Sequence, residues 1–115
     1  MSIFRINRLL AAAEVVPNLL NGSKFEFLSA PAVVTLYATD FGNLAASELT
    51  FTLGNVVVAE NIPLNTATAV GNVSTLNDRI GAGVGAQADR IQIAARNTDA
   101  AANTTVSILL DIAEL

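Results

Sequence analysis

Strict alternation of apolar and polar residues is the feature that most constrains how this chain of 115 residues can fold. In the segment ELTFTLG, Leu49, Phe51 and Leu53 are separated by threonines. The segments 89–97 and 104–112 alternate in the same way. Because successive side chains of a β-strand point to opposite faces, a period of two predicts strands that bury one face. The chain is therefore predicted to be built mainly from β-sheet.

The remaining strands are predicted from runs rich in β-branched and aromatic residues that end at proline, glycine or asparagine. Together the predicted strands cover residues 24–30, 32–40, 48–54, 56–60, 89–97 and 104–112. Gly54-Asn55 predicts a tight hairpin turn, whereas residues 64–88 give little signal. No helical segment of crossover length lies between the strands, so neighbouring strands should be antiparallel. The expected fold is an all-β, antiparallel β-sandwich of jelly-roll or Greek-key type, with an up-and-down barrel as the alternative.

The N-terminal residues follow a different period. Apolar residues between positions 3 and 16 recur at the spacing of a helix face. Pro17 disfavours continuation of a helix, and Asn21-Gly22 marks a turn. The sequence therefore predicts a short amphipathic helix or arm within residues 1–22, followed by a β-sandwich domain over residues 23–115.

This predicted arm has two alternative roles. It could pack over its own sandwich, or it could reach a neighbouring subunit, since the break at Pro17 makes it separable from the sheets. The residues expected to make the contact with a neighbour are Ile3, Phe4, Ile6, Leu9 and Leu10.

Composition removes several kinds of chemistry. The chain has no histidine and no cysteine, which excludes the commonest general base and all thiolate chemistry. The net charge is -4 and the basic residues are scattered, so Arg5 and Arg8 offer at most a weak contact with nucleic acid. No apolar run approaches the roughly 20 residues of a membrane span. We expect no catalytic activity, no cofactor and no metal site.

The stretch RIGAGVGAQADRI, residues 79–91, contains a literal G-x-G-x-x-A, the pattern of a dinucleotide-binding loop. That loop requires a helix directly after it, whereas the alternation after Asp89 predicts a strand. The stretch is therefore interpreted as a pliable, glycine-rich connection between strands. The flanking residues Asp78, Arg79, Asp89 and Arg90 are predicted to make polar contacts between subunits.

Few residues are charged: Asp, Glu, Lys and Arg make up 14% of the chain, against roughly 25% in an average soluble domain. Alanine, asparagine and threonine fill the positions that charged residues usually occupy. Burying such a surface costs little side-chain entropy and removes few charges from water. The composition therefore favours assembly of the chain with copies of itself.

Three segments resemble parts of the small β-sandwich coat proteins of icosahedral viruses and bacteriophages: PAVVTLYATD, SELTFTLGNVVVAENIPLN and DRIQIAARNTDAAANTTVSILLDI. The resemblance is one of type, an N-terminal arm followed by a compact sandwich rich in small residues. It implies a virion structural protein, in the capsid, at a vertex or as decoration, that acts by self-assembly. Its partners would be copies of itself and other virion proteins, and its location the virion. Many capsid arms are strongly basic and hold the genome, whereas Arg5 and Arg8 are the only basic residues of this predicted arm.

Two other classes of function remain open. One is a carbohydrate- or surface-binding sandwich, such as a fibre-tip or adhesin module, although Tyr37 is the only tyrosine and there is no tryptophan. The other is a small enzyme that uses the glycine-rich stretch.

Overall fold

The chain forms strands and no helix over the residues that the computed structural model describes, 2–41, 47–99 and 101–115. The strands are β1 (Ser2–Leu10), β2 (Val15–Val16), β3 (Ala32–Phe41), β4 (Ser47–Leu53), β5 (Val56–Pro63), β6 (Asn65–Thr66), β7 (Arg79–Gly85), β8 (Ile91–Asn97) and β9 (Thr104–Glu114). The predicted all-β class is therefore confirmed.

The strands form two sheets. The first has the order β1-β9-β3-β6, with β7 also paired to β3, and the second has the order β2-β8-β4-β5. Every pair is antiparallel except the short contact between β3 and β6. The apolar faces of both sheets meet in one core, so the architecture is that of a sandwich.

The strand pairs are nested along the chain. When the two-residue strand β6 is set aside, β1 pairs with β9, β2 with β8, β3 with β7 and β4 with β5. The chain thus behaves as one long hairpin with its bend at Gly54, whose φ of 60° is suited to the predicted turn. The pairs β3·β9 and β4·β8 then join alternate strand pairs of this hairpin, β1·β9 with β3·β7 in the first sheet and β2·β8 with β4·β5 in the second.

Side-chain alternation is confirmed in β4 and β8. Leu49 and Phe51 are fully buried, and Thr50 between them is half-buried on the opposite face. In β9 the residues predicted to share one face, Val106, Ile108, Leu110 and Ile112, lie in the core, but Ser107 and Leu109 between them are buried as well. The inward residues of β8 and β9, such as Ile93 and Ile108, complete the core from opposite sheets. The hydrophobic pattern thus fixes which face of each strand is inside.

The predicted N-terminal helix is wrong, because Ser2–Leu10 forms β1. This strand pairs with β9 without a register shift, from Ser2 opposite Ile112 to Leu10 opposite Thr104. The apolar residues of this segment fit either period, and pairing with β9 satisfies backbone groups over the whole segment. Leu10 consequently lies in the core rather than on a detached helix.

The interpretation of residues 79–91 as a pliable connection is also wrong over its first half. Residues Arg79–Gly85 form β7, which runs beside β3 from Gly85 opposite Ala32. A Cβ added at Gly85 would lie 2.5 Å from Leu28 Cδ1, and one at Gly83 would lie 3.2 Å from Val58 Cγ2. The glycines therefore form the inward face of a strand that packs too closely for side chains.

The predicted strand over residues 24–30 is only an isolated bridge, between Phe27 and Arg90. Gly22, just before the segment, adopts a φ of 79°, and a turn in which the amide of Glu26 donates to the carbonyl of Ser23 continues into the segment. The segment still follows β8 closely, since the Ile91 amide donates to the Glu26 carbonyl at 2.7 Å.

Candidate assembly surface at the first strand

Strand β1 is a long edge strand of the first sheet. It pairs with β9 on one side, and no strand of the described ranges pairs with it on the other. An edge strand leaves a row of backbone N–H and C=O groups available to another chain. Over its nine residues, β1 contains neither a proline nor a register shift.

The opposite situation holds at β5, the edge of the second sheet. Its pairing with β4 shifts register twice, Asn61 adopts a φ of 51°, and the strand ends at Pro63. Bulges and prolines are among the devices by which sheet edges avoid pairing with other chains. Strand β1 is therefore the more accessible of these two edges for backbone pairing.

The inward side chains of β1 hold it on its own sandwich. Leu10 is fully buried, and Phe4 and Ile6 pack against the core. The rings of Phe4 and Phe25 lie 4.7 Å apart between centroids, tilted by 43°. The strand thus belongs to its own subunit's sheet, and its edge is the part that remains available.

The outward side chains of β1 include two large apolar residues near its ends. Ile3 is 58% exposed and Leu9 is 59% exposed. Between them lie the exposed residues Arg5 and Asn7. Of the five predicted contact residues, these two apolar ones are thus the most accessible, and their contact with a neighbouring subunit stays a prediction.

The two arginines of β1 differ in their surroundings. Arg8 forms an ion pair with Glu14, with its guanidinium 3.3 Å from Oε2, and the same carboxylate accepts the amide of Ala11 at 2.8 Å. Arg5 is exposed and has no ion-pair partner within the described part of the chain. Of the two arginines predicted to contact nucleic acid weakly, only Arg5 is therefore unpaired among the described residues. The contact itself stays a prediction.

Asp78 and Arg79 lie where β7 begins. The Asp78 carboxylate is buried and accepts the amide of Ser74 at 2.6 Å and the side-chain amide of Asn65 at 3.0 Å. It thereby orders the loop before β7 within its own chain. Arg79 is exposed, and none of the described carboxylates forms an ion pair with it.

Asp89 and Arg90 lie just before β8. Asp89 accepts the amide of Ala86 at 2.9 Å, and Arg90 Nε donates to Glu26 Oε2 at 2.8 Å. The Gly22 amide bonded to Glu26 lowers the pKa of that carboxyl below its ordinary value; burial opposes this shift and the guanidinium of Arg90 adds to it. Asp78, Asp89 and Arg90 thus have partners within the subunit, and the predicted inter-subunit role of these four residues stays a prediction.

A shallow cavity of about 250 Å³ lies between the segment 24–30 and the end of β9. Phe27 lines it and is 55% exposed, and the polar groups at its wall belong to Lys24, Ser29 and Glu114. Sequence reasoning missed this site because the segment was assigned to a regular strand. An apolar residue next to turn residues is the only signal that could have indicated an exposed ring.

Comparison of the sequence with models of known families and with curated proteins gave no match. Within residues 2–41, 47–99 and 101–115, no cluster of three or more acidic, histidine or cysteine residues could hold a metal ion. The same residues include no helix long and apolar enough to cross a membrane. The inference of function therefore depends on the fold and on the exposed surfaces.

Proposed function

We propose that this chain is a structural protein of a virion, in the capsid, at a vertex or as decoration, and that it acts by self-assembly. The observation that carries the proposal is the edge of β1, which combines an uninterrupted register with exposed Ile3 and Leu9. A long edge that lacks bulges and prolines and bears apolar side chains pairs readily with another strand. A stable subunit is expected to keep such an exposed edge when a strand of another chain pairs with it and covers it.

The strand order supports a finer assignment of the fold, a jelly roll. Eight strands arranged as one nested hairpin and divided between two sheets are what a pair of Greek keys produces. Jelly rolls occur in viral capsids, lectins and cupins, so the fold is compatible with the proposal without deciding it. The choice between a capsid-type and a ligand-binding protein therefore depends on the exposed surfaces of the subunit.

The composition of the surface supports assembly. Only 14% of the residues are charged, and large apolar side chains are exposed at positions outside β1 as well. Val56, Val57 and Val84 are each more than half exposed, and Leu76 is 90% exposed. Apolar side chains exposed singly are normal on soluble proteins, so the low fraction of charged residues is the part of this composition that supports assembly.

The cavity beside Phe27 favours a second candidate, a carbohydrate- or surface-binding module. An exposed aromatic ring next to a few polar groups is the arrangement of many small-ligand sites. Its volume of about 250 Å³ lies below the roughly 300–1,000 Å³ of typical ligand pockets. The small volume of the cavity, set beside the long uninterrupted edge of β1, favours assembly over ligand binding.

Quantitative mass spectrometry of virions purified from the source of the chain tests the proposal. We expect the chain in many copies per particle, and its absence from purified particles would refute the virion role. In parallel, the purified chain and its Phe27→Ala variant are applied to a glycan array. Glycan binding by a monomeric chain that is lost in Phe27→Ala, with Tyr37→Phe as a control aromatic substitution, would support the second candidate instead.

A further inference from the structure

We infer that β1 pairs with β1 of a second copy, antiparallel, about a twofold axis that passes beside Ile6. This pairing would join the two five-stranded sheets into one continuous sheet. The inference rests on the proposed function, because it names the contact through which the subunits associate. It is drawn from the order of residues along β1 and from their exposure.

The geometry of an antiparallel pair leaves few registers for such a contact. Residues directly opposite each other share a face, so a twofold axis perpendicular to the sheet places one residue opposite its own copy. When that residue is Ile6, the strand Ser2–Leu10 pairs over its full length, with Ser2 opposite Leu10 of the second copy. The bounds of β1 are thus symmetric about this residue.

The outward pairs in this register are complementary. Ile3 lies opposite Leu9 of the second copy, and the twofold axis produces this apolar pair twice. These are the two large apolar side chains that the subunit leaves exposed on the outer face of β1. Between the apolar pairs, Arg5 lies opposite Asn7, so no charge directly faces a like charge.

The inward pairs are also compatible. Ile6 faces its own copy, and Phe4 lies opposite Arg8, whose guanidinium can contact the ring of the neighbouring phenylalanine. Opposite residues have Cβ atoms about 5 Å apart, which is within reach for these side chains. Both faces of the joined sheet therefore accept the contact.

The neighbouring registers are less favourable. An axis at Arg5 would place this arginine opposite its own copy, and like charges directly opposite are destabilising. An axis at Asn7 would place Arg5 opposite Leu9 and Ile3 beyond the end of the strand. Only the axis at Ile6 pairs both exposed apolar residues.

Disulfide cross-linking tests this register, because the chain has no cysteine of its own. Ile3→Cys and Leu9→Cys are prepared separately; both positions are exposed, so neither substitution disturbs the core. We expect rapid disulfide formation when the two variants are mixed and little with either alone. In the inferred register a residue at position 3 lies about 20 Å from its own copy, since a strand rises about 3.4 Å per residue.

Val84→Cys is the matched control. Val84 is 68% exposed and lies in β7, which is separated from β1 by β9 and β3 in the same sheet, so this variant should not cross-link with Leu9→Cys. Cross-linking of Ile3→Cys with itself, or equal cross-linking of all mixtures, would overturn the register. If the mixed Ile3→Cys and Leu9→Cys variants do not cross-link but still form large assemblies, this contact is refuted and the proposed function still stands. A cross-linked dimer that grows no further would support the contact and refute a role in which the chain alone builds a capsid.

Charge substitution gives a second, independent measurement. In the inferred register, Ile3→Lys combined with Leu9→Lys places two lysine pairs opposite each other, and we expect association to weaken by about tenfold or more. Ile3→Lys combined with Leu9→Glu instead forms two opposite-charge pairs and should associate within about threefold of the unmodified chain. Equal weakening by both double variants would contradict the inferred pairing.

Discussion

Substitution of Gly85 by alanine should destabilise the subunit, although alanine usually stabilises a strand relative to glycine. The added Cβ would lie 2.5 Å from Leu28 Cδ1 and 3.1 Å from Leu53 Cδ1, both on side chains in the core. Ordinary contact begins near 3.4 Å, so the neighbouring leucine or β7 must move by about 1 Å. The inward face of β7 thus sets the distance between the strand and the core.

The expected magnitude combines two opposing effects. Overpacking of a filled core costs about 1–3 kcal/mol. Replacing a strand glycine with alanine returns about 0.5–1 kcal/mol, because glycine loses more conformational freedom on folding. Because a 2.5 Å approach is severe, the overpacking cost should lie near the upper end of its range, about 2–3 kcal/mol, and we expect Gly85→Ala to lower the free energy of unfolding by about 1–2.5 kcal/mol. Gly83→Ala, whose nearest contact would be 3.2 Å, should stay within about 0.5 kcal/mol of the unmodified chain.

Urea unfolding of the two variants, followed by circular dichroism, measures this difference. A variant that also carries Leu28→Ala should lose less stability than the sum of the single changes, because the smaller side chain makes room for the new Cβ. Full stability of Gly85→Ala, or a larger loss for Gly83→Ala, would refute the packing argument. Val84→Ala on the exposed face is the control and should have little effect.

Three further predictions concern buried and ion-paired groups. Asn18→Ala should lower the free energy of unfolding by about 2–3 kcal/mol, because Asn18 bonds two backbone amides and one carbonyl in the interior; an unchanged urea midpoint would contradict this. The depressed pKa of Glu26 means that its carboxylate stabilises the fold above pH 4.5 and that this contribution is lost as the pH falls through the lowered pKa. The difference in stability between the unmodified chain and Glu26→Gln should therefore narrow below pH 4.5, and a gap independent of pH would show that the charge of Glu26, held by the Gly22 amide and by Arg90, does not stabilise the fold. Glu48→Gln should cost less than about 1 kcal/mol, since its pair with Arg96 is partly exposed to solvent, and the cost should shrink further in high salt; a salt-independent loss would count against this account.

The sequence predicted those strands whose signal is local. In β4, for example, Leu49 and Phe51 alternate with threonines, and a pleated strand needs no information beyond that pattern to choose its buried face. Strands β3, β8 and β9 were found within a few residues of their ends for the same reason. Their order in the sheets depends on contacts between distant segments and could be expected only as a class.

Two strands were missed for physical reasons. In β7 the alternation is present, but the inward residues are glycines, so a hydrophobicity pattern does not register it. In β1 the apolar residues fit both a helix and a strand, and the decision is made by β9 at the other end of the chain. The residues of the candidate site, Ile3 and Leu9, could therefore be named from the sequence, whereas their position on an open sheet edge could not.

Sedimentation velocity of the purified chain over a range of concentrations tests the central claim most directly. Self-assembly predicts species that are discrete multiples of the 11.9 kDa subunit and that grow with concentration. The Ile3→Lys/Leu9→Lys variant should shift this distribution towards the single subunit. A single 11.9 kDa species at every concentration would contradict the account.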